Sequence, residues 1–163
     1  MNWFNILHMP LPHSTDLATS ILYDENTFYK QFSKDLLTST KEIIIESPFI
    51  STVRMKQLRP IFKKLISRGV KVYVFTRDPK EHSEEYEIQS ETEIHFFEVI
   101  GVQVFICVGN HHRKLAILDR KILWEGSLNI LSQVHSREIM RRIDSQKISQ
   151  QTFNFLHFSR WIY

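Results

Sequence analysis

The stretch GNHHRKLAILDRKILWEGSLN, residues 109–129, carries more of the protein's logic than any other. KLAILD and KILWEG are two short apolar runs separated only by the polar turn around Asp119, Arg120 and Lys121. Such a pattern predicts an antiparallel hairpin. His112 and Lys114 stand two residues apart, so on an extended chain their side chains share a face. An imidazole beside an ammonium suits phosphodiester chemistry. The first can attack phosphorus or protonate a leaving oxygen, and the second can neutralise phosphate oxygens as charge develops. Gly126 lets the backbone come close. The Ser127 hydroxyl and the Asn129 amide can donate to the same oxygens. Asn129 is placed on a strand-to-helix turn.

Outward from the hairpin, RGVKVYVF and IGVQVFIC share a form: a helix end, a glycine, then an alternating strand. Two αβ units in succession predict neighbouring parallel strands joined by right-handed crossovers. Their helices are expected over 54–68, with Met55, Leu58, Ile61, Phe62, Leu65 and Ile66 on one stripe, and over 83–100, capped by Ser83, with Tyr86, Ile94, Phe97 and Ile100 inward, and stopped by Gly101. Pro60 predicts a kink or a restart in the first of them. Further upstream, Asp24 is read as the cap of a helix over 25–39, and Ile43–Ile45 as a strand buried on both faces. REIMRRI (137–143) is read as the last strand, and Asp144 as the cap of a final helix. The fold class is α/β: a mixed, largely parallel sheet flanked by helices on both faces, in a single domain over 1–163, with 1–23 an N-terminal arm or edge segment.

His112-x-Lys114, four residues, Asp119, six residues, then Gly126-Ser127-x-Asn129 resembles the HKD motif of the phospholipase D superfamily. Six residue types at fixed spacing arise by chance in roughly one chain in ten thousand or fewer. The resemblance covers most of residues 25–157, with a softer likeness to the phospholipase D-like domains of bacterial helicase and restriction systems. It implies that His112 is the nucleophile forming a phosphohistidine, that Lys114, Ser127 and Asn129 bind phosphate, and that Asp119 plays a supporting part. It also implies an acidic residue that orients the histidine, for which Glu138 is the candidate. Asp119 lies at an odd offset from His112, on the opposite strand face unless the strand has ended.

Only one such motif occurs, whereas the chemistry uses two histidines. A homodimer with two copies of His112 facing across its axis is therefore expected, with no cofactor and no metal. The partner expected is nucleic acid, DNA ahead of RNA, and not a membrane. A phospholipase or phosphatidyl transferase and a non-catalytic nucleic-acid-binding module stay open as alternatives.

Other residues have quieter readings. His111 should point away from His112, and His135 sits near the downstream turn; both are candidates for contact with nucleic acid. If Glu138 faces the site on a strand, Arg142 shares its side as a possible phosphate contact, while Arg137 and Arg141 face away. Trp124 is read as core ahead of a base-stacking platform. The net charge of +3 permits an anionic partner without requiring one. The single cysteine, Cys107, excludes an internal disulfide and a cysteine-based zinc site. The opening MNWFNILHMPLPHSTD does not read as a signal peptide, and no window approaches the roughly 18 apolar residues of a membrane span, so a cytoplasmic protein is expected.

Overall fold

The structure, a computed structural model, describes residues 20–162. The remainder of the expected N-terminal arm, residues 1–19, lies outside the described residues. Seven strands form one sheet in the order β1-β7-β6-β5-β2-β3-β4. The elements run β1 (Ser20–Asp24), α1 (Phe28–Thr38), β2 (Glu42–Glu46), α2 (Thr52–Ser67), β3 (Lys71–Arg77), α3 (Glu84–Ile100), β4 (Gln103–Cys107), β5 (Leu115–Leu118), β6 (Ile122–Gly126), β7 (Ile139–Asp144) and α4 (Gln146–Phe155). The sheet is mixed, with helices on both faces, as the sequence predicts. Its parallel part is β2-β3-β4, the product of the two αβ units. The other four pairings, β1-β7, β7-β6, β6-β5 and β5-β2, are antiparallel, so the sheet is not largely parallel as expected: only the two αβ units supply the crossovers that parallel pairing needs.

Strand parity divides the core in two. Ile43, Ile45, Val72, Val74, Ala116, Leu118, Trp124 and Met140 point to the face covered by α1, α2 and α3. Ile44, Tyr73, Phe75, Leu115, Ile117, Leu123 and Ile143 point to the other, where Phe153 of α4 and the following Phe158 and Ile162 close over them. β2, β3 and β5 are buried on both sides, which is why they read as near-continuous aliphatic runs.

Local chemistry sets the ends of the elements. Ser51 accepts from the Arg54 amide at the start of α2, and Gly101 ends α3 at φ 96°. α2 runs unbroken through Pro60, so the expected restart does not occur. Two caps differ from expectation. Asp24 does not cap α1 directly; its carboxylate ties the preceding turn, accepting from Asn26 and Thr27, and Thr27 stands at the N-cap. Ser145, not Asp144, caps α4 by accepting from Ile148.

Two buried ionic groups reinforce the helical face. Asp35 of α1 is 5% exposed. It receives the Trp124 indole N–H at 3.0 Å and the Arg142 guanidinium at 2.7 Å. Glu93 of α3 is fully buried and takes both Arg59 Nη2 contacts at 2.8 Å, joining α3 to α2.

Candidate active site

Strands β5, β6 and β7 end at one rim of the sheet, where an open cleft of about 940 Å³ forms. His112, Lys114, Ser127, Asn129 and Glu138 all line it, with Arg113, Glu125, Ile139, Arg141 and Leu22. Five residues from three separate chain segments thus converge on one concavity. His112 and Lys114 lie just ahead of β5, in a segment without regular secondary structure. Lys114 Nζ donates to the His112 carbonyl at 2.8 Å and lies 3.0 and 3.2 Å from the two ring nitrogens. The Lys114 ammonium has its pKa lowered by partial burial, and the Glu138 carboxylate works against that by favouring the charged form.

Ser127 is fixed in both directions by β7. Its amide donates to the Ile139 carbonyl at 3.0 Å, and its hydroxyl oxygen accepts from the Ile139 amide at 3.1 Å. The hydroxyl proton remains available to a ligand oxygen. This clasp requires β6 and β7 to lie very close at Gly126, where a Cβ would stand 2.2 Å from the Ile139 carbonyl oxygen. Asn129 follows on a loop, not on the expected strand-to-helix turn. The segment 127–138 contains turns and bends but no helix. The Asn129 carbonyl anchors that loop by accepting from Ser132 and Gln133, and its side-chain oxygen is buried without a hydrogen-bond partner among the described residues. Glu138 Oε1 accepts from Ser136 Oγ at 2.7 Å, and the Glu138 amide is held by Glu25.

The structure does not bring every expected residue here. Asp119 sits at the opposite end of β5, in the hairpin turn, where Asp119 and Arg120 both take positive φ. Its carboxylate accepts from the Thr40, Lys41 and Glu42 amides at 2.9, 2.8 and 3.0 Å. It pins the hairpin to the start of β2, so the supporting part expected of it is architectural and lies away from the cleft. Burial acts against its charge, but the amides of Thr40, Glu42 and Lys41 outweigh that and hold its pKa below the ordinary value.

Arg142 is also corrected. It faces the helices and is held by Asp35 and Asp144, while Arg141 lines the cleft. Glu138 precedes β7 and does not follow the strand's alternation, so counting from it selects the wrong arginine. His111 turns away from His112 into a different cavity. His135 lies in a third cavity that shares only Asn129 with the cleft. Trp124 is wholly buried. Sequence reasoning missed Arg113, Glu125 and the apolar rim residues Leu22 and Ile139; the pairing of β1 with β7, which brings Leu22 opposite Arg141, has no local sequence signal.

Among the described residues, no three or more His, Cys, Asp or Glu side chains are grouped to hold a metal ion. Nor is any described helix long and apolar enough to cross a membrane.

Comparison with known proteins agrees with the fold. A family model described as "Cardiolipin synthase, PLD-like domain" matches residues 33–157, more than half of the chain. No curated protein sequence matches. Among solved structures, the chain is similar to Nuc from Salmonella typhimurium, a phospholipase D family member, at 15% identity and a TM-score of 0.69 over 87% of this chain and 93% of that one. It is similar to NucT from Helicobacter pylori at 16% identity and 0.65, over 83% and 91%. It also resembles phosphatidylserine synthase from Haemophilus influenzae at 13% identity and 0.63, over 82% of this chain but 36% of that one.

Proposed function

The chain belongs to the phospholipase D superfamily, and from that premise we propose that it is a metal-independent phosphodiesterase that cleaves DNA at a site shared across a homodimer. The observation that carries the reading is the convergence of His112, Lys114, Ser127, Asn129 and Glu138 on one open cleft. A phosphodiester in the cleft places its non-bridging oxygens against the Lys114 ammonium, the Ser127 hydroxyl and the Asn129 amide. One imidazole nitrogen of His112 attacks phosphorus, and the leaving oxygen takes a proton from the His112 of the second protomer. Water then cleaves the phosphohistidine, with that second imidazole receiving the proton. Glu138 acts as a positioning residue for the histidine.

Two features support the dimer. One chain offers a single His112 to a reaction that uses two. Leu22 and Ile139, 56% and 60% exposed, form an apolar rim on the cleft where a second copy can seat. Nucleic acid is the preferred substrate because Arg141 adds positive charge to the cleft that holds Lys114. The family model's description favours a second reading, phosphatidyl transfer.

Incubation of plasmid, single-stranded DNA and RNA in EDTA, wild type beside His112→Ala, decides between them. Cleavage by the wild type alone is expected. Turnover of phospholipid vesicles without cleavage of any nucleic acid selects the transferase. An equal mobility shift by both proteins without cleavage selects a binding module. Loss of cleavage in EDTA, restored by magnesium, sinks the metal-independent mechanism.

A further inference from the structure

On the other side of Arg113 from the cleft lies a separate cavity of about 330 Å³. Glu46, at the end of β2, is fully buried and lines it. Its Oε1 accepts from Arg113 Nη2 at 2.7 Å. Its Oε2 has no hydrogen-bond partner among the described residues, and neither does the buried Nε2 of His111, which lines the same cavity. Buried polar atoms are rarely left so, because each has given up its water without gaining a partner. Phe75 and Phe105 stack at 4.5 Å, and Trp161 packs across Phe105 at 5.8 Å, giving the cavity aromatic walls.

The charge pattern narrows the ligand. Arg113 already offsets the Glu46 carboxylate, so a full cation gains little there. Burial first, and then the neighbouring Arg113 and Lys114 cations, push His111 down to about 4, which keeps it neutral near pH 7. A neutral, planar molecule with N–H donors and an adjacent acceptor fits such a lining.

We propose that this cavity is a nucleobase subsite selective for guanine. The guanine ring N–H and amino group donate side by side to the Glu46 carboxylate, its carbonyl oxygen accepts from the His111 imidazole N–H, and its ring packs against the aromatic lining. Adenine and cytosine set a ring acceptor beside their amino group, and thymine flanks its one N–H with carbonyls, so each repels the carboxylate at one point. Arg113 lines both cavities, so a nucleotide whose phosphate sits beside Lys114 can place its base here. The subsite rests on the nuclease reading and adds to it a base preference next to the scissile phosphate.

Cys107, the chain's single cysteine, lines this cavity and reports its occupancy independently of cleavage. The full chain, and its His112→Ala variant, are labelled with a thiol reagent in the presence of guanosine, GMP, AMP, CMP, TMP or inorganic phosphate. Guanosine and GMP at ten times their Kd should each slow labelling about tenfold in both proteins, while the other nucleotides and phosphate should not. Glu46→Gln and, separately, His111→Ala should remove the protection; the second guards against a folding defect in the first. Protection by phosphate alone, or equally by all four nucleotides, overturns the subsite. Cleavage of DNA with no protection by guanosine also overturns it and spares the nuclease reading. Protection by guanosine in a protein that cleaves no nucleic acid leaves the subsite standing and sinks the nuclease.

Discussion

Replacing Gly126 with alanine puts a methyl group where β6 and β7 touch. The added Cβ would lie 2.2 Å from the Ile139 carbonyl oxygen, 2.8 Å from Met140 Sδ and 2.9 Å from Met140 Cα. Met140 Sδ can swing aside, but the two backbone atoms can yield only if the strands part. Ordinary contact begins near 3.4 Å, so the separation must grow by about 1 Å at this point. Overpacking a formed core costs about 1–3 kcal/mol, and a clash with backbone belongs at the upper end. With a urea slope of about 2 kcal/mol/M, a 3 kcal/mol loss lowers the unfolding midpoint by roughly 1.5 M. The same displacement loosens the Ser127–Ile139 clasp, formed by hydrogen bonds of 3.0 and 3.1 Å, and shifts Ser127 and Asn129 relative to His112. A misplacement of about 1 Å can cost about 100-fold in rate. Urea unfolding monitored by fluorescence, with cleavage of an oligonucleotide on the protein that remains folded, measures both effects. A Gly126→Ala protein with wild-type midpoint and wild-type rate would refute the reasoning that this glycine is what allows the cleft to form.

Asp35→Ala removes the nearer of Arg142's two carboxylate partners and leaves the buried Trp124 indole N–H unpaired, so a loss of about 2–3 kcal/mol is expected in the same urea experiment; a loss under about 1 kcal/mol would show that neither group depends on Asp35. Asp119, whose pKa is lowered in the fold, contributes stability above the unfolded value of about 3.9 and loses it as pH falls through its folded value. Asp119→Asn should therefore flatten the acid side of the stability profile below about pH 4 while leaving the cleft chemistry in place; an unchanged profile would contradict that assignment. Arg141→Ala should weaken oligonucleotide binding and reduce its salt dependence by about one counterion, whereas Arg142→Lys should act on stability alone. In mixtures of wild type and His112→Ala re-equilibrated as dimers, activity should follow the square of the wild-type fraction, falling to about one quarter at equal amounts; a linear decline would place a complete site in each protomer.

The fold was legible where local pattern and tertiary demand coincide. Ile43–Ile45 and the two glycine-ended helices read correctly because burial on both faces and the left-handed turn at Gly101 leave direct marks on residue type. The candidate site was legible because its parts lie at fixed spacing from His112 to Asn129. What escaped depends on partners distant in sequence. Asp119 belongs to the motif but bonds amides nearly eighty residues upstream, which no spacing reveals. Arg141 and Arg142 exchange roles because Glu138 stands outside β7. Glu46 carries no sequence signal, and only the fold brings His111 and Arg113 to it.

The central claim is that His112 takes the substrate phosphate covalently. Rapid alkaline quench of the wild type during turnover of a labelled oligonucleotide, followed by intact-mass and peptide analysis, tests it directly. The expected result is a nucleotidyl adduct on the peptide containing His112, formed in EDTA and absent from His112→Ala. Turnover without any adduct, or an adduct on a different residue, would contradict it.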